Sequence, residues 1–187
     1  MLHAHGDGPS TVVVEALRDL EPGTALDLAC GSGRHALWLT QHGWRVTAVD
    51  FSPEALRQAA ERAADSGVEV NWVHADITDY EPTGTFDLVL VAFLHLPPEE
   101  RRALLARAAG AVAANGALLL LGHDSTNLGT GAPGPTDPTR LYTPEDIVAE
   151  LPGLTIDRAE RVRRAVELKD GGSADAVDAF VYATRPA

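Results

Sequence analysis

The chain has 187 residues, of which 45% are hydrophobic and 22% charged, and its formal net charge is −12. This length fits one domain over residues 1–187, and the single cysteine, Cys30, excludes a disulfide framework and a thiolate metal cluster. The acidic balance argues against a nucleic-acid partner, and the absence of a long apolar run or a signal peptide predicts a cytoplasmic protein that does not contact membranes.

The first third of the chain predicts alternating helices and strands. We expect residues 1–10 to be loosely ordered and residues 11–20 to form an amphipathic helix. A strand over residues 25–29 then leads into a loop containing Gly31 and Gly33, and a helix follows at once. That helix is predicted to end near Gly43, because glycine is a common residue just after a helix.

The middle of the chain repeats this order. A second strand over residues 45–49 is followed by Ser52 and Pro53, which are typical of a helix N-terminus. Gly67 is expected to end that helix, and a third strand is predicted over residues 68–74.

The rest of the chain predicts four more strands. An unbroken apolar run marks a fourth strand over residues 86–93, and a helix follows from Pro97. We expect Asn115-Gly116 to form a turn into a fifth strand, and residues 124–142 to form a long loop. Thr143 is a predicted helix N-cap, and the chain is expected to end in an antiparallel hairpin with strands at residues 154–168 and 174–184.

Strands that alternate with helices in this way predict a doubly wound parallel α/β sheet. Such sheets bind ligands at the carboxyl ends of their strands. Asp27, Asp50 and Asp76 each stand at the end of a predicted strand. The sequence therefore predicts a ligand site at that edge, with the glycine loop at its centre.

Two cofactors fit this site. Residues 31–36 satisfy the G-x-G-x-x-A pattern of NAD(P) sites, and Asp50 would bind a ribose in either case. Asp27 favours a ligand with an amino group over a pyrophosphate, and Asp76 is placed to reach an adenine amino group. The sequence contains no Tyr-x-x-x-Lys pair, which is the motif that would indicate hydride transfer. An NAD(P)-dependent oxidoreductase nevertheless remains an alternative.

Four segments together resemble the successive motifs of class I S-adenosylmethionine-dependent methyltransferases. They begin at Ala25, Val46, His74 and Phe86, and the resemblance covers about residues 25–123. It implies a seven-stranded Rossmann-like sheet of order 3-2-1-4-5-7-6, with S-adenosylmethionine as cofactor and no metal. It also implies these donor-binding residues: Asp27, Ala29, Gly31, Gly33, Arg34, Asp50, Phe51, Asp76, Ile77 and Val91.

The chain departs from the family pattern at two points. Ala29 replaces the usual first glycine of the loop, and His35 stands where related enzymes often have Asn. The stretch Gly33–Trp38 is similar to a subgroup of tellurite-resistance-like and thiol-type enzymes. Arg34 is either a partner for the cofactor carboxylate or a solvated residue of the first helical turn.

Two histidines are candidate general bases, His95 beyond the fourth strand and His123 beyond the fifth. His123, which Asp124 follows, is the better of the two candidates, because a long predicted loop comes directly after it. Arg140 and Tyr142 are candidate substrate contacts, and Arg161 and Arg164 could face an anionic acceptor.

These residues predict methyl transfer to a small-molecule acceptor, either a thiol-like or a phenolic nucleophile. A non-catalytic cofactor-binding module is a further alternative. We expect a monomer or a homodimer.

Overall fold

The computed structural model describes residues 8–130, 132–167 and 172–187. A seven-stranded sheet runs through the molecule in the order β3-β2-β1-β4-β5-β7-β6. The first five strands are parallel, whereas β7 pairs antiparallel with both β5 and β6. This confirms the predicted order. The strands are β1 (Thr24–Leu28), β2 (Arg45–Asp50), β3 (Asn71–His74), β4 (Phe86–Ala92), β5 (Val112–His123), β6 (Thr155–Glu167) and β7 (Ser173–Thr184).

Local sequence signals set the ends of several helices. Ser52 accepts a hydrogen bond from the Ala55 N–H at 3.2 Å, and Gly67 ends the same helix with φ of 66°. Thr143 forms a reciprocal capping box with Asp146, as its predicted N-cap role requires. The helices are α1 (Thr11–Leu17), α2 (Arg34–Gln41), α3 (Pro53–Ser66), α4 (Pro98–Gly110) and α5 (Pro144–Ala149).

Both faces of the sheet are covered by helices. Along β4, Val89 and Val91 pack in one core cluster, while Leu88 and Leu90 pack in the other. The first cluster includes side chains of α4 and α5, and the second includes side chains of α1, α2 and α3. The apolar run over β4 therefore reflects burial on both sides.

The fifth strand is longer than predicted. It begins at Val112, so Asn115-Gly116 lies within β5 and not in a turn before it. Asn115 has φ of 62°, and the pairing of β5 with β4 shifts register between Phe86 and Leu88. A Cβ at Gly116 would lie 3.0 Å from the Phe86 carbonyl oxygen. Asn115 and Gly116 therefore form an irregularity inside β5, where asparagine and glycine allow the unusual backbone conformation.

The C-terminal hairpin confirms its prediction. β6 and β7 pair from Thr155 with Thr184 to Glu167 with Ser173. Residues 168–171, between the two strands of this hairpin, lie outside the described residues. Residues 1–7 of the predicted loose N-terminus also lie outside them. None of the helices in the described ranges has the length and apolar character needed to cross a bilayer.

Candidate active site

The candidate site lies at the carboxyl edge of the parallel strands and has two halves. The glycine-loop half consists of residues 27–34 with the ends of β2 and β3. The histidine half consists of residues 93–95, His123 and Arg140–Tyr142, together with Arg164 and Asp178 of the hairpin. Both halves are continuous with the sheet, since Asp27 of β1 is paired in register with Ala48 of β2 and Leu90 of β4.

The glycine loop bends through three residues with positive φ. These are Ala29 at 61°, Gly31 at 55° and Gly33 at 77°. A Cβ on Gly31 would meet nothing within 4 Å, so open space lies beside this backbone. A Cβ on Gly33 would lie 2.7 Å from Trp72 Cη2. Glycine is thus required at position 33 by packing, and donor contact there stays a prediction.

Asp50 holds the glycine loop in place. Its Oδ2 accepts a hydrogen bond from the Gly31 N–H at 2.8 Å, and its Oδ1 accepts one from the Ser52 N–H at 2.9 Å. The carboxylate therefore joins the end of β2 to the loop and to the start of α3. Each carboxylate oxygen keeps further acceptor capacity, which a ligand hydroxyl could use.

Asp27 is the least satisfied acid at this edge. Its side chain is 1% exposed, and its Oδ2 has no hydrogen-bond partner. Burial raises the pKa of Asp27 to about 7, against the opposing effect of the positive charge on Arg34. The nearby Asp50 raises this pKa further. A ligand ammonium group beside Asp27 would supply the missing hydrogen bond and counter-charge.

The ends of β2 and β3 contribute one exposed aromatic side chain and one turn. Phe51 is 69% exposed, and its carbonyl oxygen lies 3.0 Å from Nε2 of His74. Asp76 accepts hydrogen bonds from the backbone and the hydroxyl of Thr78, and these bonds lower the pKa of its carboxyl group. Ile77 is buried beside Asp76. An exposed ring with a neighbouring polar acceptor suits a planar heterocycle.

Val91 is placed differently from the other predicted donor contacts. It is 2% exposed and belongs to the core cluster that includes α4 and α5. Its contact with a ligand stays a prediction, and its observed role is in packing.

His95 is engaged at both ring nitrogens. Its Nδ1 lies 3.1 Å from the Arg140 carbonyl oxygen, and its Nε2 accepts a hydrogen bond from the His123 N–H at 3.3 Å. This pattern assigns the proton to Nδ1. Burial, with a smaller effect of the neighbouring His123 imidazole, lowers the pKa of His95 to about 4. In this geometry His95 joins the loop before α5 to the ends of β4 and β5, which makes it the weaker candidate base.

His123 lies against a buried carboxylate. Its Nδ1 is 3.3 Å from Oδ1 of Asp178, which is fully buried on β7. Arg164 of β6 donates to both oxygens of the same carboxylate, at 2.8 and 3.3 Å. Burial raises the pKa of Asp178, but the hydrogen bonds from His123 and Arg164 outweigh it and the net pKa is lowered. Asp178 is therefore ionised and can orient the imidazole.

Asp124, which follows His123 in the chain, contacts other groups. Its Oδ1 accepts a hydrogen bond from the Thr126 N–H at 2.9 Å, and its Oδ2 lies 3.0 Å from Nε of Arg161. Sequence reasoning missed Asp178 because it is distant along the chain. The available signal was a single acid within the apolar stretch Ala176–Val181.

Tyr142 lies in the core, although a substrate contact was expected. It is 1% exposed, and its hydroxyl donates to the Leu94 carbonyl oxygen at 3.2 Å. Its ring stacks on His95 with centroids 5.3 Å apart. Arg140 is about half exposed, and its Nη1 donates to the His95 carbonyl oxygen at 3.3 Å. Substrate contact by either residue stays a prediction.

Arg34 begins α2 and points its charge toward the middle of the site. Its guanidinium carbon lies 5.1 Å from the ring centroid of Phe93, and the side chain is half-buried. Burial lowers the pKa of Arg34, and the charge of Arg164 lowers it further. Within residues 8–130, 132–167 and 172–187, no group of three or more His, Cys, Asp or Glu side chains is gathered to hold a metal ion.

Residues 25–116 match the model of a family described as a methyltransferase domain. An uncharacterised methyltransferase of Mycobacterium tuberculosis is 34% identical over 122 residues, covering 64% of this chain and 60% of that protein. A ribosomal RNA small subunit methyltransferase C of Alcanivorax borkumensis is 30% identical over 92 residues, covering 47% of this chain and 28% of that protein. The chain thus spans less than two thirds of the length of these curated relatives.

The fold is also similar to solved structures. TehB from Haemophilus influenzae superposes with a TM-score of 0.81 at 17% sequence identity. The match covers 95% of this chain and 62% of TehB. At this identity the likeness shows the fold alone.

Proposed function

We propose that the chain is a class I S-adenosylmethionine-dependent methyltransferase that transfers a methyl group from S-adenosylmethionine to a small-molecule acceptor, and the match of residues 25–116 to a methyltransferase domain supports this. The observation that carries this proposal is the buried Asp27 carboxylate with its unpartnered oxygen. Asp27 precedes the loop that contains Gly31, whose backbone borders open space.

The residues of the glycine-loop half fit the donor. Asp27 would pair with its ammonium group, Asp50 would accept hydrogen bonds from its ribose, and Phe51 would lie against its adenine. When bound, S-adenosylmethionine supplies a methyl group already activated on a sulfonium. The protein is then left to bind the acceptor, align its nucleophile and accept its proton, and alignment alone contributes on the order of 7–11 kcal/mol.

His123 is the proposed general base. Asp178 lies beside Nδ1 and favours a proton there, so Nε2 is the basic nitrogen. As the acceptor attacks the methyl carbon, His123 would accept the proton of the nucleophile at Nε2. General-base assistance of this kind contributes about 10²–10⁴-fold to the rate. A thiol acceptor depends on this assistance least, because its anion is accessible near neutral pH.

The net charge of −12 supports a small-molecule acceptor over a nucleic acid, because binding a polyphosphate backbone requires a basic surface. The ribosomal RNA methyltransferase relative does not weaken this inference, since the match covers only 28% of that protein.

Isothermal titration calorimetry with S-adenosylmethionine, S-adenosylhomocysteine and NADH tests the donor assignment. We expect both sulfur compounds to bind with micromolar affinity and NADH to show no heat of binding. Binding of NADH alone would replace the proposal with an oxidoreductase. If the sulfur compounds bind but an acceptor screen at saturating donor gives no S-adenosylhomocysteine, the chain is a cofactor-binding module.

A further inference from the structure

A cationic cluster lies between the two halves of the site and has no assigned ligand. It consists of Arg34, Phe93 and Arg164. The guanidinium carbons of the two arginines lie 5.1 and 5.4 Å from the centroid of the Phe93 ring. Two positive charges on one aromatic ring repel each other, and water screens them little because both side chains are partly buried.

Only one of these arginines has a carboxylate oxygen within 4 Å of its guanidinium nitrogens among the described residues. Arg164 is bound through two nitrogens to Asp178, which is also the carboxylate beside His123. Across the described ranges, the guanidinium of Arg34 makes no hydrogen bond and no ion pair within 4 Å, and the charges of Asp27 and Asp178 act on it only from a greater distance. A guanidinium carries five N–H donors, so a half-buried one without an acceptor is costly unless a ligand supplies it.

The backbone holds the ring of this cluster in place. Phe93 follows β4 with φ of 58°, a conformation rare for a bulky residue, and its N–H donates to the Leu121 carbonyl oxygen at 2.6 Å. Its ring centroid lies 5.2 Å from that of His123. Strained residues persist where the surrounding structure supports them and they cluster at ligand sites. An anion bound at the two arginines would therefore lie next to the proposed base.

We propose that Arg34 and Arg164 bind a carboxylate of the methyl acceptor over Phe93, so that its nucleophile faces His123. This inference rests on the proposed function and defines the acceptor class as small carboxylic acids that bear a nucleophilic amine, thiol or hydroxyl. A carboxylate matches the fork of a guanidinium through two parallel hydrogen bonds. Its negative charge also balances the second guanidinium of the cluster, because the single negative charge of Asp178 already lies against Arg164 and His123.

Fluorine NMR with carboxylate probes tests this assignment. The protein is first loaded with S-adenosylhomocysteine, whose affinity is measured by calorimetry. Trifluoroacetate and 4-fluorobenzoate then serve as a small and a large carboxylate, and 4-fluorobenzamide is the neutral control. We expect at least one carboxylate to bind the loaded protein and the amide not to bind. In Arg34→Gln the carboxylate should bind about tenfold more weakly, with Arg34→Lys intermediate.

The matched control is Arg57→Gln, which removes an exposed arginine that is paired with Glu54 and Glu61 on α3. This substitution should leave the affinity for S-adenosylhomocysteine and the affinity for the carboxylate probe unchanged. Failure of S-adenosylhomocysteine to bind the wild type would remove the proposed function itself. Binding of S-adenosylhomocysteine without any carboxylate would remove only this inference. A tenfold loss of S-adenosylhomocysteine affinity in Arg34→Gln, with carboxylate binding unchanged, would assign Arg34 to the donor and overturn it.

Discussion

The glycine-loop half and the histidine half lie on the same edge of one sheet, but they satisfy their polar groups differently. In the glycine-loop half, Asp27 has an oxygen without a partner, Gly31 borders open space and Phe51 is 69% exposed. In the histidine half, both nitrogens of His95 are bound to backbone groups, and Asp178 lies against both His123 and Arg164.

This difference indicates that the glycine-loop half is the part of the site whose polar groups are arranged to bind a ligand. Unsatisfied buried groups are costly in the free protein and become favourable only when a ligand pairs with them. A network that is already paired instead positions its own side chains. Apart from Arg34 and Arg164 of the cationic cluster, we therefore expect substitutions in the glycine-loop half to act mainly on donor affinity, and substitutions in the histidine half to act mainly on the rate.

The largest expected effect separates the two histidines. His123→Gln should lower kcat about 10²–10⁴-fold with little change in the affinity for S-adenosylhomocysteine, because it removes the proposed base. The matched change His95→Gln should lower thermal stability by about 1–3 kcal/mol and kcat only a few-fold, because it removes two contacts to the backbone. Steady-state kinetics and thermal unfolding of both variants measure this. The reverse order of kcat losses would make His95 the base.

The second prediction concerns Asp27. Asp27→Asn should weaken S-adenosylhomocysteine binding about 100-fold, because the donor ammonium loses a charged partner. The same change should stabilise the free protein at pH 8 by about 2–4 kcal/mol, because the wild type must ionise a buried carboxyl group there. Calorimetry and chemical unfolding measure the two effects. Asp65→Asn, on the exposed end of α3, is the control and should change neither value.

The third prediction compares two glycines with positive φ. Gly33→Ala should destabilise the protein by about 3 kcal/mol, because its Cβ would lie 2.7 Å from Trp72 Cη2 and 3.0 Å from Ala59 Cβ. Gly67→Ala has the same backbone problem, with φ of 66°, but open space around the new carbon, so about 1 kcal/mol is expected. Urea unfolding measures both. Equal losses would show that backbone conformation, and not the contact with Trp72, requires glycine at position 33.

The smallest predicted effect is the pH dependence of donor affinity. The pKa of Asp27 in the free protein is raised to about 7, so its carboxyl group is largely protonated at pH 6 and ionised at pH 8. Affinity for S-adenosylhomocysteine should therefore rise about tenfold between these pH values. The free energy of unfolding of the free protein should fall as the pH rises from 3.8, the ordinary pKa of an aspartate, to about 7, because folding then holds the buried carboxyl group protonated against an increasing cost. Both trends should be absent in Asp27→Asn, and a pH-independent affinity in the wild type would contradict the role of Asp27.

Local patterns predicted the architecture well. Helix signals at Ser52, Gly67 and Thr143 acted within one turn of the residues that carry them, and the structure confirms each. The apolar run of β4 predicted a strand covered on both faces. The Asn115-Gly116 prediction was wrong in placement, because the same residue types permit a turn and an irregularity within a strand. Pairing with β4 decided between them.

The candidate site likewise combines residues that could be predicted from the sequence with contacts that only the tertiary structure decided. Asp27 and Asp50 could be identified from the sequence because each ends a strand, and parallel strands bring their carboxyl ends to one edge. The contact of His123 with Asp178, and not with Asp124, was decided by the antiparallel register that pairs the two residues across β5 and β7. The cluster of Arg34 and Arg164 around Phe93 likewise joins α2, β4 and β6. Local signals act between residues that are close in the sequence, whereas the partners of a buried charge depend on which distant strands lie side by side.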